Sequence, residues 1–344
     1  MSSQTLSNKS TQTKNREITY REAIGEALQQ EMSRDKRVFL MGEDLGVFYG
    51  GGSFGVTPKK MFLDKFGAER VRDTPISESA YIGAGVMAAV AGYRPVAELM
   101  FSDFFGVCMD QIANQGAMLR YMFGGQATIP LVVRTAYGAG MSFGATHSQT
   151  LYSVFAHIPG IKVVAPSTPY DAKGLLIAAI RDGNIVVFFE HKALYAYKGG
   201  IVPEEQYEIP LGKADVKKEG KDLTIVALGR MTHLSLEAAT QLKKEGINAE
   251  VIDPRTIVPL DKDTILHSVK KTSRLIIVDE DYLNCGFASE VAAIVSDEAF
   301  GSIDAPIKRI ANPNIPIPYA KHLEETVLPS VAKIVTTSKE LVKF

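Results

Sequence analysis

Tryptophan is absent from the 344 residues, and cysteine occurs only twice, as Cys108 and Cys285. Two thiols cannot build a disulfide framework, so a reducing compartment is expected, with a cytoplasmic location. Neither sign of charge dominates: 38 basic and 39 acidic side chains leave a net charge of −1. Nucleic-acid binders carry a basic excess, so that class of partner is not expected. No run of 18 uncharged apolar residues occurs, so neither a transmembrane helix nor a membrane partner is expected. The six histidines form no His-x-x-His or Glu-x-x-His pair, which argues against a catalytic zinc site. The spacing of Gly50 and Gly55 imitates a P-loop, but Val56 stands where the phosphate-binding lysine must be.

What is present is ordinary for a globular protein: 46% apolar residues in a length that suits two domains. Residues 1–17 are polar, rich in Ser and Thr, basic, and lack a hydrophobic stretch. They read as a disordered tail. Structure begins at Thr19-Tyr20-Arg21-Glu22, a capping box followed by apolar residues at helical spacing. Buried strands are expected at 37–44, 96–101, 130–135, 161–166 and 184–190, with helices at 79–92, 104–122 and 169–182. Thr168 and Pro169 open the last helix as N-cap and first residue. Apolar strands alternating with helices predict an α/β fold, a doubly wound parallel sheet covered on both faces. Residues 18–200 are assigned to it and 201–214 to a linker. A smaller α/β domain over 215–344 follows, with strands at 222–229, 249–255, 274–281 and near 305–307.

Two segments carry polar residues that a buried α/β core does not need. Asp73-Thr74-Pro75-Ile76-Ser77-Glu78 opens a helix, and Glu78 suits either a first-turn capping acid or a catalytic one. Residues 137–149, YGAGMSFGATHSQ, form a glycine-rich loop leading to His147, an acid/base candidate. The run GAGVMA at 83–88 imitates a dinucleotide fingerprint, but no good strand precedes it. Small residues on one side of a closely packed helix explain it better. On that run alone would rest a rival reading, a non-catalytic nucleotide- or flavin-binding α/β protein.

The motifs DTPISE, FSDFFGVCMDQIANQ, the HSQ after the glycine-rich loop, and HIPGIKVVAPSTPYDAKGLL occur in that order. They are followed by IPLGKADVKKEGKDLTIVALG and AEVIDPRTIVPLD. Together they resemble the β subunit of the thiamine-diphosphate-dependent first component of 2-oxo-acid dehydrogenase complexes. That family belongs to the transketolase-like superfamily. GVCMDQI and LRYMFGG are most similar to the acetoin dehydrogenase branch, with the pyruvate and branched-chain branches still open.

The resemblance implies a pyrimidine-binding domain followed by a transketolase C-terminal-like domain. It implies that Glu78 contacts N1′ of the cofactor's aminopyrimidine, sharing a proton that favours the imino tautomer needed to deprotonate the thiazolium C2. A dry pocket should raise this glutamate's proton affinity. Phe104 is implied to pack near the pyrimidine. His147 is implied as a proton donor in acyl transfer to lipoyl, oriented by Ser148 and Gln149. A structural K⁺ is implied on backbone carbonyls of Leu131, Ala179, Ile180, Asp182 and Asn184, although Ile185 stands where the family has proline. The Gly-Asp-Gly that holds the diphosphate and Mg²⁺ in thiamine enzymes is missing. An α subunit is therefore expected to hold both, in an α₂β₂ heterotetramer. The further partners are a small-molecule substrate and a lipoyl-bearing dihydrolipoyl acyltransferase, the second component. A transketolase-like half-protein acting on sugar phosphates is less suited, because basic residues for a phosphate are not seen around His147.

Overall fold

A computed structural model of the chain describes residues 16–46 and 51–344. The tail expected at 1–17 lies, apart from residues 16 and 17, outside the described residues, as do Tyr49 and Gly50. The first half runs α1 (Tyr20–Arg34), β1 (Val38–Gly42), α2 (Leu63–Phe66), β2 (Val71–Asp73), α3 (Glu78–Val90) and β3 (Arg94–Phe101). It continues with α4 (Phe105–Asp110), α5 (Leu119–Met122), β4 (Val132–Tyr137), α6 (Tyr152–Ala156), β5 (Lys162–Val164), α7 (Pro169–Arg181) and β6 (Val186–His191). The second half holds β7 (Asp215–Lys218), β8 (Leu223–Ala227), α8 (Arg230–Lys244), β9 (Ala249–Asp253), β10 (Thr256–Val258) and α9 (Lys262–Thr272). It ends with β11 (Leu275–Tyr282), α10 (Phe287–Glu298), β12 (Lys308–Asn312), α11 (Lys321–Val327) and α12 (Val331–Leu341).

Both helix-start signals act as read. The Thr19 side chain accepts from the Glu22 N–H while the Glu22 carboxylate accepts from the Thr19 N–H, closing the box. Thr168 caps α7 through the Asp171 N–H, with Pro169 in the first turn. The helix expected over 104–122 is instead broken. A 3-10 turn at Ser102–Phe104 leads into α4, a π-helical stretch at Gln111–Ala117 follows, and α5 closes the run. The π-helical stretch lies against the small residues of α3: a Cβ on Gly83 would come 2.7 Å from Gln111 Oε1. GAGVMA thus serves close helix packing. The last strand, expected near 305–307, falls at Lys308–Asn312.

The strands form two sheets, ordered β10-β5-β6-β4-β3-β1-β2 and β12-β11-β8-β9-β7. All pairs are parallel except two at sheet edges, β10 with β5 and β7 with β9. The first of these is an exchange between halves, since β10 belongs to the second half of the chain and pairs with the first sheet. One apolar core runs through both halves, joining Leu99, Val133, Tyr152 and Phe189 to Ile252, Ile277 and Phe287. Separate cores fill the α1/α7 face of the first sheet and the α8/α12 face of the second. Among the described residues no helix is long and apolar enough to cross a membrane.

Candidate active site at the carboxyl ends of the first sheet

β1, β3, β4 and β6 run parallel, so their carboxyl ends open on one edge, the side on which α/β sheets bind ligands. Glu43 directly follows β1, Phe101 ends β3, Tyr137 ends β4, and His191 with Lys192 closes β6. Glu78 opens α3, where the helix dipole favours a carboxylate. It is 7% exposed and has Glu43, equally buried, as neighbour. Burial, and then the nearby Glu78 charge, pushes the Glu43 carboxyl above its ordinary value. Glu43 Oε1 finds no hydrogen-bond partner. Burial and Glu78 also push the Cys108 thiol, in α4, up to about 12. Two acids in one dry corner, one with an orphaned oxygen, fit a ligand that brings a protonatable nitrogen. A diphosphate would be repelled there. Glu43 was not singled out from the sequence, although its signal was visible in the acids that close the first strand.

His147 packs edge-on against Phe101 (ring centroids 4.8 Å apart) and Phe104 (5.3 Å). Phe104 directly precedes α4, as its N-cap residue, and Cys108 sits one turn further along, so α4 links the His147 group to the Glu78 group. The ring's partner is Thr146, whose Oγ1 lies 3.0 Å from Nδ1. Ser148 and Gln149 do not orient the ring as expected. Ser148 Oγ is buried without a partner. Gln149 anchors the backbone, its N–H donating to Asp103 Oδ1 (3.2 Å) and its carbonyl accepting from Ser102 Oγ (3.0 Å). Lys192 Nζ donates to the His147 carbonyl. Lys192 is 2% exposed, and burial pulls its ammonium down to about 8. Sequence reading missed this lysine, whose one signal is its place directly after a buried strand.

Of the carbonyls assigned to K⁺, those of Ala179, Ile180 and Asp182 lie at the end of α7, while Leu131 O accepts from the Val186 N–H. Arg94 Nη1 donates to two of them, Ile180 O (2.7 Å) and Asp182 O (3.1 Å). A helix carboxyl end attracts cations, and here a guanidinium already stands on it. Arg94 thus already supplies positive charge to two of the carbonyls that the resemblance assigns to K⁺.

The glycine loop rejected as a P-loop does cradle an anion, and the anion is a side chain. The Ser53 N–H donates to the buried Glu98 carboxylate, and a Cβ on Gly52 would sit 2.6 Å from Glu98 Oε1. Gly51 to Gly55 also spell the letters of a nucleophile elbow. Ser53, however, lies in a 3-10 turn, and its buried hydroxyl donates to Met100 O (3.2 Å). An elbow needs a strand-to-helix turn that exposes the serine. Glu98 in turn pairs with Arg134 Nη1 (2.8 Å), whose other nitrogens grip Glu190 bidentately at 2.7 and 2.8 Å.

The two sheets and a carboxylate pair at the first sheet's edge define a two-domain α/β protein of the transketolase type. Residues 16–198 match the transketolase pyrimidine-binding domain and residues 212–334 the transketolase C-terminal domain. The chain is 52% identical over 336 residues to the acetoin:2,6-dichlorophenolindophenol oxidoreductase subunit beta of Bacillus subtilis, covering 95% of this chain and 97% of that one. It is 45% identical to the 2-oxoisovalerate dehydrogenase subunit beta of the same organism, over 95% of this chain and 99% of that protein. The pyruvate dehydrogenase E1 component subunit beta of B. subtilis is 44% identical, with the same coverage. A solved split-gene transketolase superposes with a TM-score of 0.76 at 23% identity, over 95% of this chain and 98% of that one, which shows the fold. The chain belongs to the family of first-component β subunits of the acetoin and 2-oxo-acid dehydrogenases, and is of the oxidoreductase kind.

Proposed function

We propose that this chain is the β subunit of a first component that cleaves acetoin, or decarboxylates pyruvate, and passes the acyl group to lipoyl on the second component. The observation that carries the reading is the buried Glu78–Glu43 pair at the sheet edge, in a chain without Gly-Asp-Gly. Thiamine diphosphate, when bound, supplies a nucleophilic carbon at its thiazolium ring. Glu78 holds and returns a proton at the aminopyrimidine N1′. Glu43 beside it is pushed above its ordinary value by burial and by the Glu78 charge, so two negative charges in this corner are disfavoured. Phe104 lends an apolar wall to the pyrimidine. His147, with Thr146 on Nδ1, presents Nε2 to donate a proton during acyl transfer.

The diphosphate and Mg²⁺ belong to an α subunit, in an α₂β₂ assembly. Large apolar side chains around α3, α4 and α5 support a covering partner: Ile76, Met87, Val107, Tyr121, Met122 and Phe123 are each more than half exposed. K⁺ sits on the carbonyls of Leu131, Ala179, Ile180, Asp182 and Asn184 beside Arg94. Melting in KCl against NaCl at equal ionic strength tests this: a higher Tm in KCl is expected, and equal Tm values mean that Arg94 alone neutralises the helix end.

Acetoin is the favoured substrate, because the acetoin enzymes of B. subtilis and Cupriavidus necator share 52% and 50% of their residues with this chain. The test is a steady-state assay of the reconstituted α and β subunits with acetoin, pyruvate and a branched-chain 2-oxo acid. Acetoin is expected to give the highest kcat/KM with a dye acceptor. A faster 2-oxo acid overturns the acetoin assignment, and no turnover of any of the three overturns the whole reading.

A further inference from the structure

The loop that carries His147 is held from the other half of the molecule. Gly138, Gly140, Ser142 and Gly144 all have positive φ, from 57° to 92°. Such a backbone turns successive N–H groups toward one side and forms a concave anion nest. Two carboxylates of the second half fill it. Glu324 of α11 accepts from the Gly140 N–H (2.8 Å) through one oxygen and the Ser142 N–H (3.0 Å) through the other. Glu280 of β11 accepts from the Ala139 N–H through one oxygen and from His191 Nε2 (2.8 Å) through the other. His191 Nδ1 accepts from the Ala193 N–H (3.2 Å), so Nε2 carries the proton given to Glu280. Both carboxylates are nearly sealed, at 1% and 3% exposure. Small apolar contacts of Ala139 with Ile317 and Leu328 close the gap around them.

At its far end the same loop is tied to the first half, through Gln149 to Ser102 and Asp103 and through the His147 carbonyl to Lys192. The Gly138 N–H reaches back to Gln149 O (3.4 Å) and closes the base. His147 therefore sits in a strap anchored on both halves of the molecule.

We propose that Glu324 and Glu280 are positioning residues for His147, holding the strap by the backbone N–H groups of Ala139, Gly140 and Ser142. This rests on the reading of His147 as the proton donor in acyl transfer. Charge-assisted bonds to backbone N–H groups are the strong kind, and buried ones leave the N–H groups unpaired when removed. A small misplacement of a reacting group is enough to slow its step.

The test uses the reconstituted holoenzyme with Glu324→Ala and Glu324→Gln; the amide keeps one acceptor oxygen should the alanine variant fold poorly. Three quantities are read: acylation of a lipoyl domain, reduction of a dye acceptor, and hydrogen exchange of the amides at 139–142. Acylation is expected to fall about 10–100-fold in Glu324→Ala and less in Glu324→Gln, with dye reduction falling by less than acylation. The amides should exchange faster. In a His147→Ala background, Glu324→Ala should add no further loss. Equal loss of both activities, or the full loss persisting in that background, overturns the positioning role. Unchanged exchange at 139–142 overturns the clamp itself. If His147→Ala alone acylates at the wild-type rate, it is the proton-donor reading that fails, and exchange then decides the clamp separately.

Discussion

A carboxylic acid that must hold and return a proton near neutral pH needs an environment that penalises its charge. Glu78 stands in a buried corner with a second acid, Glu43, alongside. Glu78→Gln in the reconstituted enzyme is expected to cost about 10²–10⁴-fold in turnover, the usual size of a lost proton relay. Size-exclusion chromatography should still show the assembled tetramer. Turnover above about a tenth of wild type removes Glu78 from the chemistry. Glu43 makes a stability prediction of definite sign. Its carboxyl, ordinarily near 4.5, is raised in the folded state, chiefly by burial. The folded protein thus binds this proton more tightly than the unfolded chain does. The resulting stability is fully present below pH 4.5 and is lost as pH rises through the raised value. Glu43→Gln cannot ionise, so in cofactor-free protein it should melt above wild type at pH 7, and the gap should close as the pH approaches about 4. A gap that stays constant with pH would contradict the raised value.

Among the elements, apolar runs and helix-start signals were legible, whereas two of the shortest strands and the break within 104–122 were not. The capping box at Thr19, the N-cap at Thr168 and the largely apolar strands β1, β3, β4 and β6 are local signals, written in adjacent residues. β2 and β10 have three residues each, too few to show a period, and β10 owes its place to a partner strand in the other half, whereas the equally short β5 lies inside the apolar run read as a strand at 161–166. The π-helical stretch at Gln111–Ala117 is a tertiary effect, since it lies where α3 packs closely. The site was legible to the same degree. Glu78 and His147 sit on odd polar segments, whereas Glu98, Arg134 and Glu190 are single polar residues inside apolar strands and meet only across three adjacent strands. Their network lies in the middle of the first sheet, with Arg134 2% exposed. Removing the guanidinium leaves two buried carboxylates without a counter-charge. Arg134→Met should cost about 3–5 kcal/mol in a denaturant titration. Replacing Glu98 and Glu190 by apolar residues of similar volume in that variant should restore much of the loss. A cost below about 1 kcal/mol would mean that the carboxylates find protons or water instead.

At the scale of the whole molecule, the near-zero net charge and the location of the acids answer one question together. Among the described residues, the crevice edge offers a neutral nitrogen or a cation two carboxylates, Glu43 and Glu78, and offers an anion nothing of comparable strength. Lys192 is turned to the His147 carbonyl, and Arg134 is consumed by Glu98 and Glu190. A diphosphate carries several negative charges and requires Mg²⁺ with oxygen ligands fixed around it. On the proposed reading, binding energy for that half of the cofactor comes from the α subunit, and this chain holds the pyrimidine half. The two contributions are coupled, because neither alone orients a flexible ligand across the crevice. Calorimetric titration of thiamine diphosphate with Mg²⁺ into the isolated β chain should accordingly show no saturable heat at micromolar ligand. The same titration into the α–β mixture should saturate, and Glu78→Ala should weaken it without abolishing it, since the diphosphate grip remains. Saturable micromolar binding by the β chain alone would place the diphosphate site in this chain and overturn the division of the cofactor between two subunits.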